Sequence, residues 1–332
     1  MSLRIAQIGS DGHQKLVLDG IPKIDGAALV AVAKGHPEDK LSSVKNHAAF
    51  TSETRVYENY EDLLAQEDLD LVSICRPFSL NAEVTIAAAK KGLHVASEKP
   101  LATTESDLEA IQKTVAESGI RLSAMFSLRL HPVFRAAKKA VEDGLIGQPI
   151  LATGQKSYRF GNRADHFKNR ETYGGTIPWV AIHAVDFVRW VSGLDYTQVT
   201  ALHGNLVHPD YPGCEDQGGI LFKLSNGGTA MVNLDYLRPE SAPTHGDDRL
   251  RIAGSEGVIE VCDCATRVHL IRSGEAPRDL PLPAEMDYLV DLYQELQGKG
   301  KHIIGPDEGI KVTRVCLKAR EAADTGKVIE LE

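Results

Sequence analysis

The chain has 332 residues, of which 42% are hydrophobic and 25% are charged, and its formal net charge is −9. This length favours two domains, and the negative charge disfavours a nucleic-acid or anionic-membrane partner. The longest apolar runs are too short to span a bilayer. The five cysteines are scattered and no secretory leader precedes the first predicted strand, so we expect a cytoplasmic protein.

The first part of the chain alternates strands and helices, which is typical of a doubly wound parallel sheet. Thr104 and Asp107 are positioned to cap one of these helices. The pattern predicts an α/β fold with a Rossmann-like dinucleotide-binding domain over residues 1–124. Strands are predicted at residues 3–8, 28–33, 55–57, 70–75, 93–97 and 121–126, and helices up to about residue 24 and at 37–49, 60–65, 81–91 and 104–118.

From about residue 125 strands recur with little helix between them, which predicts an α+β domain over residues 125–332 with a large, mostly antiparallel open sheet. Ser225-Asn226-Gly227-Gly228 is typical of a hairpin turn. Polar alternation is weak at residues 229–234, so we expect a partner subunit to cover one sheet face in a homo-oligomer, a dimer or a tetramer. Strands are predicted at residues 151–158, 198–207, 218–224, 229–236, 248–253, 257–262 and 267–272, and helices at 132–143, 284–297 and 306–324.

Glu98-Lys99-Pro100 directly follows the strand predicted at residues 93–97. Open α/β sheets bind ligands at the carboxyl ends of their strands, and proline ends the ladder there. Lys99 can then polarise a hydroxyl or carbonyl oxygen and help to transfer its proton. A surface ion pair beside a turn is the structural alternative.

The turn after the first strand is an imperfect dinucleotide-binding motif. In Gly9-Ser10-Asp11-Gly12-His13 only Gly9 matches the glycine positions of the template. The Asp11 carboxylate would repel a pyrophosphate unless it points away. An ordinary strand-to-helix turn remains the alternative.

The second predicted strand ends in Lys34-Gly35-His36 instead of an acidic residue. Lys34 cannot accept hydrogen bonds from ribose hydroxyls, but with His36 it can pair with a 2′-phosphate. This favours NADP over NAD if a dinucleotide binds. A solvated lysine at a strand end is the alternative. Cys262 and Cys264 lack a second Cys or His pair at zinc spacing, so no metal site is predicted.

Residues 173–190 predict a helix opened by two glycines, Thr176 and Pro178. Trp179, His183, Asp186 and Trp190 then fall on one stripe of the helix. A histidine one turn from a carboxylate can act as a general base, although a core histidine is the alternative.

An irregular loop is predicted at residues 156–170, between the domains, with five Lys and Arg side chains. These side chains could bind a substrate carboxylate or phosphate. A solvated loop or a subunit contact explains them equally well.

Together, Glu98-Lys99-Pro100-Leu101, Leu128-Arg129-Leu130-His131-Pro132, Gly174-Gly175 and His183-Ala184-Val185-Asp186 resemble the Gfo/Idh/MocA oxidoreductase family over essentially the whole chain. The resemblance implies NAD(P)-dependent hydride transfer to or from a carbon of a sugar, cyclitol or related polyol. It implies that Lys99 is the catalytic lysine and His183 the acid/base, with Asp186 binding substrate or orienting His183.

The site residues follow from the motifs together with this resemblance. Trp179 stands where the family often has Asp, and it is expected to form an apolar wall against a sugar. Asn81 stands where the family often has His. Cofactor-binding residues are expected to be Gly9, Ser10, Asp11, Gly12, His13, Lys34, Cys75, Arg76, Pro77, Asn81, Glu98 and Lys99, and substrate-binding residues Lys99, Arg129, Arg159, Trp179 and His183.

Two other functions remain open at this point. The missing Asp and the imperfect glycine turn also suit a non-catalytic, ligand- or nucleotide-sensing regulatory protein on the same fold. A third possibility is an NAD-dependent enzyme that cleaves a glycosidic bond through transient oxidation. The loops that select a substrate have no transferable code, so the sequence does not identify it.

Overall fold

The structure, a computed structural model, describes residues 3–331 and contains two compact units. Unit 1 contains residues 3–127 and 287–313, and unit 2 contains residues 128–286 and 314–331. The predicted division at residue 124 had assigned residues 287–313 to the second domain. They belong to unit 1 because the Tyr288 hydroxyl donates to Ser123 Oγ at 2.8 Å and Arg121 contacts Glu295.

The strands of unit 1 are β1 (Leu3–Ile8), β2 (Ala27–Ala33), β3 (Arg55–Tyr57), β4 (Leu71–Ile74), β5 (His94–Ser97) and β6 (Leu122–Ala124). They form one parallel sheet in the order β3-β2-β1-β4-β5-β6, which confirms the predicted Rossmann-like domain. The strand order reverses between β1 and β4, where such sheets bind their ligands. β4 is buried throughout, as expected for a parallel strand covered on both faces.

The helices of unit 1 are α1 (Lys15–Leu18), α2 (Ser42–Lys45), α3 (Tyr60–Gln66), α4 (Asn81–Lys90), α5 (Glu105–Ser118) and α9 (Tyr288–Leu296). The Thr104 hydroxyl accepts the Asp107 N–H at 3.2 Å, so the predicted cap of α5 is confirmed. The helix predicted at residues 37–49 is wrong in length. The Asp39 carboxylate accepts the Leu41 N–H and Leu41 is left-handed, and this local bonding favours a loop before α2.

The strands of unit 2 are β7 (Pro149–Tyr158), β8 (Tyr196–Gly204), β9 (Gln217–Leu224), β10 (Thr229–Asp235), β11 (Gly246–Gly254), β12 (Gly257–Cys262), β13 (Arg267–Arg272), β14 (Arg278–Asp279) and β15 (Ile329–Glu330). They form one sheet in the order β14-β13-β12-β11-β7-β10-β9-β8-β15. Only the β7–β10 pair is parallel, so the predicted mostly antiparallel sheet is confirmed.

The helices of unit 2 are α6 (Pro132–Glu142), α7 (Arg170–Tyr173) and α8 (Ile182–Ser192), while α10 (Glu308–Thr325) contains the boundary between the units. Helix α8 packs on β7 at Gly154, where a Cβ would lie 2.8 Å from the Val188 side chain. Phe134 of α6 stacks on Phe187 of α8 with ring centroids 4.6 Å apart. One sheet face is therefore covered by helices.

The segment predicted as an irregular loop between the domains lies within unit 2. Its first residues complete β7, and a 3₁₀ turn (Asp165–Lys168) and α7 follow. The segment is structured because aromatic side chains such as Phe167 are buried in it. No helix among residues 3–331 is both long and apolar enough to cross a membrane.

Candidate active site

The loop after β1 is packed tightly against the loop after β4, at the point where the strand order reverses. Gly9 has a φ of +80°, and a Cβ there would lie 2.1 Å from the Cys75 carbonyl oxygen. The Asp11 N–H donates to the same carbonyl at 2.9 Å. Glycine is therefore required at position 9 by both backbone conformation and close approach.

The buried Glu98 connects this turn to the end of β5. Its carboxylate accepts the His13 backbone N–H, lies 2.9 Å from His13 Nδ1, and accepts the Lys99 N–H at 3.0 Å. Gly12 leaves room for it, because a Cβ there would lie 2.1 Å from Glu98 Oε2. Burial alone would raise the pKa of Glu98, but His13 and Lys99 lower it below its usual value of 4.5. The carboxylate is therefore ionised.

Unused donors suit this region to a dinucleotide. Within residues 3–331 the backbone N–H groups of Ser10 and Gly12 make no hydrogen bond. The buried Asn81 Nδ2 likewise has no partner among these residues. Asn81 is buried, Ser10 is half-buried and Gly12 is exposed. A buried donor is normally satisfied, so the Asn81 amide is the informative group, and a dinucleotide brings phosphate and carboxamide oxygens that can accept from all three. The residues present thus fit such a group.

The end of β2 combines cations with carboxylates. Lys34 Nζ lies 2.6 Å from Glu58 Oε2, and His36 Nε2 lies 3.4 Å from Asp11 Oδ2. The Asp11 carboxylate is therefore turned towards His36. Burial raises the pKa of Asp11, an effect that His36 opposes and Asp39 reinforces.

Asp11, His36 and Asp39 each place one potential ligand atom within 4.8 Å of the others. Asp39 already accepts the Ser10 hydroxyl at 2.6 Å and the Gly35 N–H at 3.0 Å. Through these two hydrogen bonds the Asp39 carboxylate stabilises the loop after β2.

Arg76 connects the loops after β2 and β4. Its Nε donates to the Gly35 carbonyl at 2.7 Å, and its Nη1 lies 2.6 Å from Glu83. Cys75 and Pro77, on either side, are buried, and burial raises the pKa of the Cys75 thiol well above its usual value. Cys75 and Pro77 are therefore uncharged residues on either side of the Arg76 guanidinium, which links the two loops.

Lys99 is 1% exposed. Lysine is almost never buried to this extent in an ordinary structural position, so the alternative of a surface ion pair is wrong. It follows β5 at the carboxyl edge of the sheet, as predicted, and its peptide bond to Pro100 is cis.

The helix that carries His183 begins with a π-helical turn. Ile177–Ala181 is π-helical, and α8 continues from Ile182. The π turn departs from the 3.6-residue repeat on which the predicted stripe rests, so the placement of Trp179 on one stripe with His183 and Asp186 stays a prediction. π turns inside helices are frequent at functional sites.

This turn is held from its amino-terminal side. Gly174 and Gly175 have φ values of +84° and +96°. The Thr176 N–H donates to Glu215 Oε2 at 2.7 Å, and its hydroxyl donates to the Glu215 carbonyl at 2.7 Å. Arg170 forms an ion pair with the same carboxylate.

His183 is 2% exposed and lies one turn before the buried Asp186. The Asp186 carboxylate accepts hydrogen bonds from Arg129, with Nη2–Oδ1 at 2.6 Å and Nε–Oδ2 at 3.0 Å. Arg129 is also buried and lies 5.5 Å from the Trp190 ring. This ion pair attaches α8 to the segment before α6. The predicted orienting role of Asp186 and substrate role of Arg129 stay predictions.

Aromatic side chains surround the position of Trp179. Its ring lies 6.4 Å from that of Phe167, which lies 4.6 Å from Tyr173. The hydroxyls of Tyr173 and Tyr236 are 3.1 Å apart. Burial raises the pKa of both tyrosines, so both are neutral. The predicted apolar wall thus has aromatic neighbours.

Sequence reasoning missed a buried ion pair on β7. Lys156 Nζ lies 2.7 Å from Asp248 Oδ2 and 4.7 Å from the Tyr158 ring. Burial alone would lower the pKa of Lys156, but Tyr158 and Asp248 raise it above its usual value. The alternation of the predicted strand at residues 151–158, with Ala152 and Gly154 inward, was the signal that Lys156 also points inward. Arg159 follows at the strand end.

Two family models match the chain. The model described as "Oxidoreductase family, NAD-binding Rossmann fold" matches residues 3–126. The model described as "GFO/IDH/MocA C-terminal domain" matches residues 134–260. The first match lies within unit 1 and the second within unit 2, and together they cover most of the chain.

Curated relatives and solved structures agree with these matches. The 1,5-anhydro-D-fructose reductase of Ensifer adhaerens is 27% identical over 88% of this chain and 89% of its own. The D-xylose 1-dehydrogenase (NADP(+)) 2 of Haloferax volcanii is 26% identical over 94% of this chain and 95% of its own. The structure of a provisionally assigned oxidoreductase from Thermotoga maritima is 37% identical, with a TM-score of 0.95, and covers 99% of this chain and 100% of that one.

Proposed function

The chain belongs to the Gfo/Idh/MocA family of NAD(P)-dependent oxidoreductases, and on this basis we propose that it transfers a hydride between the nicotinamide and a carbinol or carbonyl carbon of a sugar, cyclitol or related polyol. The observation that carries the proposal is the fully buried Lys99, directly after Glu98, at the carboxyl edge of the unit 1 sheet. The sugar chemistry of the reductase and dehydrogenase relatives supports the substrate class.

Two residues of this chain handle charge and the proton. When bound, NAD(P) supplies the hydride acceptor or donor. In the oxidative direction His183 takes the hydroxyl proton of the substrate as the C–H hydride leaves. The Lys99 ammonium stabilises the negative charge that develops on the substrate oxygen. The carbinol becomes a carbonyl, and the reductive direction reverses each transfer.

We further propose that the coenzyme is held by the residues predicted for it and that NADP is preferred. Ser10, Gly12 and Asn81 supply the unused donors described above. Lys34 and His36 are the cations available to a 2′-phosphate. Both have carboxylate partners in the structure, Glu58 and Asp11, which a 2′-phosphate would have to displace.

Two features support a cytoplasmic homo-oligomer. All five cysteines are free thiols, as expected in a reducing compartment. The face of the unit 2 sheet opposite α8 exposes apolar side chains, including Leu221 and Met231. We propose that a second copy of the chain covers this face.

The coenzyme is tested by titrating the purified protein with NADPH and NADH and following tryptophan quenching. We expect saturable binding of at least one, with NADPH tighter. Lys34→Ala should then lower NADPH affinity about tenfold and leave NADH affinity unchanged, since one charge-assisted contact is worth 1.5–3 kcal/mol at most. Binding of neither coenzyme by folded, coenzyme-free protein would reject the function.

The chemistry is tested by a turnover screen with D-xylose, myo-inositol, 1,5-anhydro-D-fructose and related sugar acids. On any substrate found, Lys99→Ala should lower turnover at least ~10²-fold and leave coenzyme affinity nearly unchanged. Lys99→Met preserves the stem, and the exposed Lys113→Ala is the matched control. Unaltered turnover in both Lys99 variants contradicts the assignment. Glycoside cleavage without net nicotinamide change would favour transient oxidation, and ligand binding without either would favour a regulatory protein.

A further inference from the structure

Unit 2 contains a basic cluster, defined here as Lys156, Arg159, Arg163 and His245, that is only partly neutralised. Lys156 is paired with Asp248. Among residues 3–331, neither Arg159 nor Arg163 forms an ion pair. The Nε atoms of both arginines are buried without a hydrogen-bond partner in this part of the chain. Two guanidinium groups therefore remain uncompensated in a protein of net charge −9.

The members of the cluster lie close together. The Arg159 N–H donates to the His245 carbonyl at 3.0 Å, and Arg163 Nη2 donates to the Arg159 carbonyl at 3.1 Å. Burial lowers the pKa of His245, and Arg163, Lys156 and Arg159 lower it further. The imidazole is thus kept neutral by cations on the same side of the unit.

Aromatic rings hold Arg163 in place. Its guanidinium carbon lies 4.6 Å from the ring centroid of Tyr236, 5.3 Å from that of Phe167 and 5.8 Å from that of Phe160. Stacking of this kind fixes the plane of the guanidinium. Nη2 already donates to the Arg159 carbonyl, and Nε is the buried donor that remains for a planar or tetrahedral anion. Little side-chain entropy is then lost when an anion binds.

The cluster is connected to the helix that carries His183. Phe167, under Arg163, also lies 6.4 Å from Trp179, one turn before His183. Tyr236, the other ring under Arg163, hydrogen-bonds Tyr173, the last residue of α7, which precedes the π turn before α8. Arg163 and Trp179, which lies one turn before His183, therefore share the Phe167 ring as a neighbour.

We propose that Arg159 and Arg163 bind an anionic group of the substrate, a carboxylate or a phosphate, so that the polyol acted on is an acidic or phosphorylated sugar. This inference rests on the proposed oxidoreductase function and narrows its substrate class. Buried donors without a hydrogen-bond partner destabilise a protein, and an anion would satisfy both Nε groups. Arginine binds both anions through parallel hydrogen bonds. Two acidic side chains that interact with members of the cluster do not fill this role, because Asp248 is bound by Lys156 and Glu240 is exposed.

The test compares three probes by isothermal titration of the full-length protein, with and without NADH: D-gluconate, D-glucose 6-phosphate and D-glucitol. We expect at least one anionic probe to bind at least tenfold more tightly than neutral D-glucitol. Arg159→Gln and Arg163→Gln should each remove this preference, and exposed Arg278→Gln should keep it. Preference for gluconate alone identifies a carboxylate, and preference for the phosphate alone identifies a phosphate. The Arg159 side chain makes no hydrogen bond among residues 3–331, so Arg159→Gln is expected to fold normally.

Three outcomes overturn the inference: no measurable binding of either anionic probe, equal affinity for all three probes, or an unchanged preference in both arginine variants. The coenzyme titration is run on the same samples. Normal coenzyme binding without anion preference rejects only the anionic substrate. Absent coenzyme binding rejects the proposed function itself, whatever the sugar probes do.

Discussion

Glu98 is the residue on which the coenzyme half of the candidate site depends most. Its buried carboxylate accepts from the backbone and approaches the ring of His13, and it accepts the N–H of the next residue, Lys99. One carboxylate therefore fixes both the turn after β1 and the start of the loop that carries the candidate catalytic lysine. A charged group in this position stabilises the fold only while all its donors are present.

Replacing the Glu98 carboxylate tests how much it contributes to the stability of the folded protein. Glu98→Gln should lower the free energy of unfolding by about 3 kcal/mol, because the amide presents donors to groups that are themselves donors. Urea denaturation at pH 7 measures the free energy of unfolding. Glu142→Gln is the control, because Glu142 forms only an exposed i,i+4 ion pair with Lys138 on α6, and it should change this free energy by less than about 0.5 kcal/mol. Because the folded-state pKa lies below the usual 4.5, this stabilisation is complete above that pH and is lost as the pH falls through the folded pKa. A Gln variant as stable as the parent would contradict this role.

His302 gives unit 1 a second pH dependence, near neutrality. Its Nδ1 lies 2.6 Å from Asp291 Oδ2 and its Nε2 lies 2.9 Å from Ser123 Oγ. Burial lowers the pKa of His302 below its usual 6.5, although Asp291 opposes this. The folded protein therefore binds fewer protons, and its stability is full above pH 6.5 and decreases as the pH falls through the folded pKa.

His302→Gln should flatten this dependence. At pH 7.5 the variant should lose about 1–3 kcal/mol of unfolding free energy, because two buried hydrogen bonds are impaired. Between pH 7.5 and 5.5 its stability should fall less than that of the parent protein. Urea midpoints at both pH values measure the two slopes, and equal slopes would show that His302 does not titrate in this range.

At the scale of elements, the turn between β1 and α1 combines two requirements for glycine at position 12. Its φ of +135° is rare for other residues, and a Cβ would collide with Glu98. Gly12→Ala should therefore destabilise the protein by more than backbone strain alone and abolish coenzyme binding. Gly119→Ala is the matched control, because Gly119 has a φ of +69° with open space around it and should cost only about 1 kcal/mol. If the two variants lost the same free energy of unfolding and Gly12→Ala still bound coenzyme, the close approach of Gly12 to Glu98 would not be needed.

The same elements show what a sequence can and cannot predict. The apolar run of β1 and the capping residue of α5 were sufficient to predict these two elements, because burial along β1 and the Thr104 cap of α5 depend on residues that are close in sequence. The π turn at Ile177–Ala181 was not predictable from local spacing, since Thr176, the residue before it, is bound by Glu215, which is far along the chain. The loop before α2 was mispredicted because the Asp39 carboxylate competes with helix formation in a way that composition does not show.

At the scale of the whole chain, the strand–helix alternation was enough to predict the parallel sheet of unit 1, and the hairpin signals predicted much of the sheet of unit 2. The assignment of residues 287–313 to unit 1 was not predictable, because it depends on hydrogen bonds between Tyr288 and Ser123. The candidate coenzyme site was predicted from the kinds of residue that follow the predicted strands of unit 1. The basic side chains of residues 156–170, including Arg159, were predicted as candidates for binding a substrate carboxylate or phosphate. Their approach to His245 and the pair of neutral tyrosines were not predicted, since these depend on which side chains the sheet brings together.

The outer face of the unit 2 sheet allows the proposed assembly to be tested. Met231 pairs directly with Leu221 across β10 and β9, and the two side chains are 41% and 45% exposed. Adjacent apolar groups on an open face are typical of a subunit interface.

A charge in the centre of this patch should prevent its burial, so Leu221→Asp and Met231→Asp should each produce a smaller species in sedimentation velocity. Leu206→Asp is the matched control, because Leu206 is 82% exposed but lies outside the strands. A parent protein that sediments as a monomer, or variants that assemble like the parent, would show that a second copy does not cover this face.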